Sequence, residues 1–213
     1  MKLKLKLIIC LFCASLSVAI AQDARSILDK AADNFYKSGG LTAGFIMNSK
    51  ELKSNTIYSY DGHVWMKGEK FKIDMPEMTN WFDGKTQWVY IKETEEVNIT
   101  IPSDDELQSM SPSVLFSVYK KGFTLSYKGQ EAVDGKTAMV VELTPQSKKS
   151  SVKKLVVYID KTTNFPSKLV MYDDNGYENT IIIRNLKSQQ NLADSLFVFD
   201  AKQYPEVEII DLR

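Results

Sequence analysis

The chain has few of the residues on which many active sites depend. It contains 2 cysteines and 1 histidine in 213 residues, and the cysteines, Cys10 and Cys13, both lie close to the N-terminus. If that segment is removed on export, the remaining chain has no thiolate nucleophile, no disulfide and no cysteine ligand for a metal. The single histidine, His63, cannot build a histidine-rich metal site and would have to serve any Ser-His-Asp triad alone. Because His63 follows the pair Asp61-Gly62, we interpret it as a solvated turn residue.

A glycine-rich phosphate loop and an excess of positive charge are also missing. The chain has 27 basic and 27 acidic residues, and loss of three N-terminal lysines would leave 24 basic residues and a net charge of −3. Nucleic-acid binders carry clustered positive charge instead. We therefore predict a protein that is not an enzyme, with no catalytic residue, no metal, no cofactor and no nucleic-acid partner.

The first 21 residues are typical of a secretory signal peptide. Three lysines precede an apolar run over residues 7–20, and Ala-Ile-Ala at residues 19–21 supplies a small-residue cleavage site. Cys10 and Cys13 follow bulky residues, which does not fit a lipoprotein signal. We predict cleavage after Ala21, so that residues 22–213 form one exported domain of a length that can bury its own core.

The periodicity of apolar residues predicts a mainly β domain behind one helix. Residues 23–38 place Ile27, Leu28, Ala31 and Phe35 at helical spacing, ahead of the helix stop at Gly39-Gly40. Apolar and polar residues then alternate over residues 41–101 and again after residue 123. About 11 or 12 strands joined by tight turns, such as those predicted at residues 61–62 and 83–84, would run antiparallel and curl into a barrel or part of one.

Two short helices are predicted between the two β-rich halves. Ser103 and Glu106 have the spacing of a capping box, and Ser111-Pro112 is a second helix start. The second helix would present Leu115 and Val118 as part of an apolar stripe. The apolar residues of the strands then allow two interpretations: they fill an ordinary closed core, or they line a cavity for an apolar ligand between a curved sheet and the helices.

Several motifs, in their order along the chain, resemble the LolA family of outer-membrane lipoprotein carriers. They are "GHVWMKGEKFKIDM" at residues 62–75, "DGKTQWVY" at residues 83–90, the helical insert that follows, and "NLKSQQN" and "FVFD" near the C-terminus. The resemblance implies an incomplete, antiparallel β-barrel of about 11 strands, with the N-terminal helix and the inserted helices forming a lid. It also implies a periplasmic monomer that binds the acyl chains of lipoproteins in a hydrophobic cavity and shuttles them from the inner to the outer membrane. Its partners would be an inner-membrane ABC-type lipoprotein-releasing complex and an outer-membrane acceptor.

The apolar pattern and the resemblance together predict the residues of a lipid-binding cavity. Trp88 and Tyr90 would face this cavity, with Val89 and Ile91 on the outer face, and the turn at residues 83–84 would bring either Trp81 or Phe82 beside Trp88. The predicted cavity residues are Phe45, Trp65, Phe71, Ile73, Met75, Trp88, Tyr90, Leu115, Val118, Met139, Val141, Leu155, Val157, Leu169, Met171, Ile181 and Ile183.

The sequence departs from the family pattern at one functional position. Many members have Arg-Pro after W-x-K, and that arginine contacts the lid, whereas this chain has Gly68-Glu69. We therefore expect lid closure to depend on apolar contacts from Leu115 and Val118. Three alternatives remain open at this point: a sensor or scaffold on the same fold, a carrier of glycolipid or another hydrophobic molecule, and a secreted hydrolase that uses carboxylates such as Glu142 and Asp160.

Overall fold

The computed structural model describes residues 24–104, 106–107 and 111–213. Helix α1 occupies residues 24–37 and buries Leu28, Ala31 and Phe35, which confirms the predicted amphipathic helix. It stops where Gly39 adopts a φ of 71°, a left-handed conformation that glycine reaches without a steric cost. The predicted signal peptide lies outside the described residues. None of the helices in the described part of the chain combines the length and apolarity needed to cross a membrane.

The described residues form twelve β-strands in one sheet. The strands are β1 (Leu41–Glu51), β2 (Ile57–Lys67), β3 (Lys70–Asp74), β4 (Met78–Phe82), β5 (Gln87–Ile91), β6 (Glu96–Thr100), β7 (Phe123–Val133), β8 (Lys136–Pro145), β9 (Val152–Asp160), β10 (Pro166–Asp173), β11 (Tyr177–Lys187) and β12 (Glu208–Asp211). Their order in the sheet is β12-β6-β5-β4-β3-β2-β1-β11-β10-β9-β8-β7. Neighbouring strands are antiparallel, except that β12 lies parallel to β6.

The sheet curls around a single main core without closing. Phe82 of β4 and Leu125 of β7 are separated by seven strands in this order, yet both belong to the same buried cluster. Such contact requires strong curvature of the sheet between them. Among the described strands, β7 and β12 remain the two edges and do not pair with each other. The predicted open, mainly β barrel is thereby confirmed.

Described residues of the segment between β6 and β7 pack against the main core. Ser103 and Glu106 form the predicted capping box: the Ser103 N–H donates to Glu106 Oε2 at 2.7 Å and the Glu106 N–H to Ser103 Oγ at 3.4 Å. Two 3-10 helices follow, Pro112–Phe116 and Val118–Lys120. Ser111 caps the first of them, as predicted. We call residues 111–120 the lid.

Three local predictions are wrong. Residues 61–62 do not form a turn, because β2 is continuous from Ile57 to Lys67 and Gly62 lies opposite Phe45 of β1. His63 is therefore a strand residue. The alternation of apolar residues in "LFVFD" at residues 196–200 predicts a strand, but the segment Asp194–Phe197 is a 3-10 helix. β12 is reached only after a second 3-10 helix, Ala201–Gln203, and this long connection allows it to be parallel to its neighbour.

Candidate functional site

The register of the strands defines an inner face of the sheet, which we identify by Phe71. Phe71 lies opposite Met66 of β2 and Phe82 of β4, and all three belong to the core beneath α1. Residues two positions apart on a strand share a face, and so do residues that are paired across neighbouring strands. The inner-face residues of every strand can therefore be assigned by starting from Phe71. On the other side of β1, Phe45 pairs with Ile183 and so continues the same face into β11.

One end of the inner face is filled by α1 and the lid. Side chains from both pack in a single cluster with Phe71, Val141 and Val157, which are almost completely buried. Leu115 and Val118 of the lid are partly buried against this cluster. The apolar contacts expected of these two lid residues are therefore formed, and this end of the face is a closed core.

The other end of the inner face is apolar but only half covered. Cross-strand pairing aligns Leu155 with Met171 and Leu169 with Ile181, on strands β9 to β11. The half-buried predicted residues on this face are Phe45, Ile73, Met139, Leu155, Leu169, Met171, Ile181 and Ile183. Ile183 also lines a cavity of about 610 Å³, whose rim carries polar side chains. The inner face thus presents a continuous apolar surface beyond the helices, which is the candidate binding site.

Three predicted cavity residues lie on the opposite, outer face. Lys72 follows Phe71 and so faces outward, and it lies opposite Trp65 on one side and Trp81 on the other. Trp81 in turn pairs with Trp88, through a turn of four residues. The prediction that Trp65, Trp88 and Tyr90 share a cavity with Phe71 is therefore wrong, because one step in register exchanges the two faces. By the same pairing, Val89 and Ile91 face inward rather than outward, and Met75 lies beyond the end of β3.

The C-terminal segment covers these outer aromatic residues. Trp81 packs edge-on against Phe199 at a centroid distance of 5.7 Å, and Tyr90 against Tyr204 at 5.0 Å. Trp88 is partly buried in the same cluster. The space beside Trp88 is thus occupied by the protein itself, and this second small core fixes the C-terminal segment to the sheet.

The same C-terminal segment is fastened electrostatically to the β2–β3 hairpin. Asp194 accepts from Lys67 Nζ at 2.9 Å and lies 3.0 Å from Lys70 Nζ. Hydrogen bonds from these two lysines, followed by their charges, lower the pKa of Asp194. The ion pairs are exposed, so we expect them to contribute little to stability beside the aromatic packing.

Polar contacts that the sequence did not predict fasten the lid. The buried Ser113 hydroxyl donates to Glu69 Oε2 at 2.7 Å, and Glu69 belongs to the tight turn between β2 and β3. Burial, followed by the charge of Glu69 and a hydrogen bond to it, raises the pKa of Tyr36 on α1. Glu69 therefore joins the hairpin, the helix and the lid, at the position where the sequence departs from the pattern of the family it resembles.

Two aromatic residues complete the closure of the lid. Phe116 stacks on Phe35 of α1 with a centroid distance of 4.2 Å and an interplanar angle of 3°. The Tyr119 hydroxyl donates to Asp29 Oδ1 at 2.7 Å. Burial, and then this hydrogen bond and the charge of Asp29, raise the pKa of Tyr119 well above its ordinary value. The lid is thus held mainly by apolar packing with a few directed hydrogen bonds.

Two carboxylates proposed for a hydrolase have separate structural roles. Glu142 pairs with Lys128 at 2.9 Å. Asp160 accepts hydrogen bonds from the backbone N–H groups of Thr162 and Thr163 and so stabilises the turn after β9. Along the β8–β9 pairing they lie four residues apart, Asp160 opposite Ala138 and Glu142 opposite Val156. This arrangement gives no support to a carboxylate pair.

These features define an open-barrel protein with a partly covered apolar inner face. The model of the family described as outer membrane lipoprotein carrier protein LolA matches residues 15–175, and the chain belongs to this family.

One curated relative and several solved structures are similar to this chain. The chain is similar to an outer-membrane lipoprotein carrier protein of Glaesserella parasuis, with 27% identity over 165 residues that cover 72% of this chain and 75% of the relative. An uncharacterized conserved protein from Thermus thermophilus has a similar fold, with a TM-score of 0.60 and 14% identity over 89% of this chain and 99% of its own. A LolA superfamily protein from Nitrosomonas europaea matches with a TM-score of 0.44 and 13% identity over 83% of this chain and 98% of its own.

Proposed function

We propose that this protein is a periplasmic carrier that binds the acyl chains of lipoproteins on the half-covered inner face and moves them from the inner to the outer membrane. The observation that carries the proposal is the continuous apolar surface from β9 to β3, which α1 and the lid leave half open. Acyl chains would gain about 0.8 kcal/mol for each methylene buried there. Family membership and the name of the Glaesserella parasuis relative support lipoprotein as the cargo.

In this proposal the cargo comes from an inner-membrane ABC-type complex and leaves to an outer-membrane acceptor. The protein would act as a monomer and enter the periplasm after cleavage of residues 1–21. The direction of transfer would come from these partners, because an apolar surface alone binds chains equally from either membrane.

Neighbouring residues of β11 allow a matched test of the binding face. Ile181 and Ile182 are both half-buried, but Ile181 pairs with Met47 and Leu169 on the inner face, whereas Ile182 points to the outer face. Ile181→Glu would place an unpaired carboxylate in the acyl-chain surface, at a cost of several kcal/mol to binding. Ile182→Glu adds the same charge to the same strand.

The test measures lipoprotein that co-purifies with the exported protein, identified by mass spectrometry. We expect it with the wild type and with Ile182→Glu, and we expect its loss with Ile181→Glu. Equal amounts with the two variants would contradict the inner-face site. Release of a lipoprotein from inner-membrane vesicles supplied with ATP then separates a carrier from a sensor, since a sensor would bind without releasing it.

A further inference from the structure

A short ladder of polar side chains interrupts the inner face at one end of the candidate site. Asn80 of β4 lies between Ile73 of β3 and Val89 of β5 in the cross-strand register, and so faces inward with them. Gln87 pairs with Phe82 and Thr100 and shares that face. The inner face is therefore apolar from β9 to β3, and Asn80, Gln87 and Thr100 add polar side chains to it between β4 and β6.

The two amides are as buried as core residues. Asn80 is 7% exposed and Gln87 is 5% exposed. Burial of a carboxamide destabilises the fold unless its polar atoms find partners, and asparagine is also disfavoured in strands. Apolar residues at the same level, such as Ile73 and Val89, would avoid both costs. A departure from the local pattern of this kind points to a function.

Hydrogen bonds within the ladder leave one donor unused. Gln87 Nε2 donates to Asn80 Oδ1 at 3.1 Å, and Thr100 Oγ1 donates to Gln87 Oε1 at 3.3 Å. Within the described part of the chain, Asn80 Nδ2 makes no hydrogen bond. No side-chain polar atom among the described residues is both fully buried and unpaired. Asn80 Nδ2 therefore still reaches accessible space, as a donor that the ladder holds in place.

We propose that Asn80 Nδ2 donates a hydrogen bond to a carbonyl oxygen of the linkage that joins an acyl chain to the head of the cargo. The inference rests on the proposed acyl-chain binding and assigns the polar end of the ligand. A chain lying on the apolar part of the face would bring its ester or amide carbonyl to the border at Asn80. Gln87 and Thr100 are positioning residues, because they orient the Asn80 amide.

A pair of ligands that differ only in the carbonyl group tests this contact. 1-Palmitoylglycerol has an ester carbonyl, and 1-hexadecylglycerol has a methylene group in its place. Both are titrated against a fluorescent acyl probe bound to the mature protein. We expect the wild type to bind the ester more tightly than the ether by a factor of about 2 to 10, the range for one neutral hydrogen bond.

Asn80→Asp is the informative variant, because its carboxylate can still accept from Gln87 Nε2 but offers no amide donor. We expect the ester-to-ether ratio to fall to about one or below. Asn80→Leu, which removes the whole amide, should give a ratio of about one. The ratio is taken within one preparation, so an unfolded fraction cancels. Asn98→Leu is the control, since Asn98 is a half-buried asparagine on the same rung that has no hydrogen bond to the ladder.

The results expected above would support the contact between Asn80 and the carbonyl oxygen of the ligand, and three other results would contradict it. An equal affinity of the wild type for ester and ether would overturn the role of Asn80 and leave acyl-chain binding intact. Loss of the ester preference in Asn98→Leu would also overturn the assignment to Asn80. If neither ligand displaced the probe from the wild type, both this inference and the proposed function would be wrong.

Discussion

Removal of the Glu69 carboxylate should loosen the lid without unfolding the sheet. Ser113 is 2% exposed, and its hydroxyl donates to Glu69 at 2.7 Å. A hydrogen bond to a charged group contributes about 1.5–3 kcal/mol. Ser113 Oγ also lies 2.8 Å from Ser111 Oγ and can bond there instead. We therefore expect Glu69→Ala to weaken lid closure by about 1–2 kcal/mol, which is a factor of about 5 to 30 in the population of open lid.

Hydrogen exchange of individual backbone amides measures this change. In the lid, the N–H of Ser117 bonds to the Val114 carbonyl oxygen and the N–H of Lys120 to the Ser117 carbonyl oxygen. Glu69→Ala should speed exchange at these amides by the same factor of about 5 to 30 and leave the amides of β9 and β10 unchanged. Glu69→Gln, which keeps an acceptor but no charge, should have a smaller effect.

Two results would refute this reasoning. Unchanged exchange in the lid of Glu69→Ala would mean that the packing of Phe116 and Tyr119 alone determines closure. Faster exchange throughout the sheet would mean that the lid and the barrel open as one unit, so that Glu69 stabilises the whole fold rather than the lid.

Three further changes test other parts of the structure. A Cβ on Gly62 would lie 2.7 Å from the Asp74 carbonyl oxygen. Gly62→Ala should therefore lower the free energy of unfolding, measured by urea denaturation, by about 1–3 kcal/mol. Gly44→Ala is the control and should not lower it, because the nearest atom to its Cβ would be 3.7 Å away. The folded-state pKa of Tyr119 is raised, so the neutral hydroxyl stabilises the folded protein fully below about pH 10. This stabilisation is lost as the pH rises toward the folded-state pKa. Tyr119→Phe, which has no hydroxyl to ionise, should therefore lose less stability than the wild type between about pH 9 and 11. Trp88→Ala should expose the C-terminal segment to proteolysis, because Trp88 packs in the outer-face cluster. The affinity of this variant for 1-palmitoylglycerol should be unchanged, whereas a loss of affinity would indicate that Trp88 lines the binding cavity.

The sequence predicts those features that depend on residues close together in the chain. The N-terminal helix follows from the spacing of Leu28, Ala31 and Phe35, and the capping box from Ser103 and Glu106. In both cases the interacting residues are three or four positions apart, so the local sequence already shows both partners of the interaction. The open barrel followed from the number of strands and from the family resemblance.

The face of the sheet to which a side chain points could not be predicted where both sides of a strand are apolar. Trp88 and Val89 are each compatible with a buried side, so only the pairing of β4 with β3 decides which one faces the core. The outer cover of Trp88 comes from a segment more than a hundred residues away, whose local sequence pattern is typical of a strand. The lid contact of Glu69 was missed for a similar reason, because its partner Ser113 is distant in sequence.

Incomplete coverage of the inner face fits the energetics that a carrier needs. An acyl chain of about 14 methylenes, fully buried, would contribute on the order of 11 kcal/mol. Two such chains would therefore reach the limit of roughly 20 kcal/mol observed for noncovalent binding, and release would be too slow for transport. In this structure α1 and the lid already occupy one end of the apolar face, packed there as a core. A ligand can use only the half-covered end unless it displaces the lid, and the lost lid contacts would then offset part of its binding energy. In the proposed carrier, the contacts that hold the lid on α1 would thus keep the affinity for cargo within a range that allows transfer.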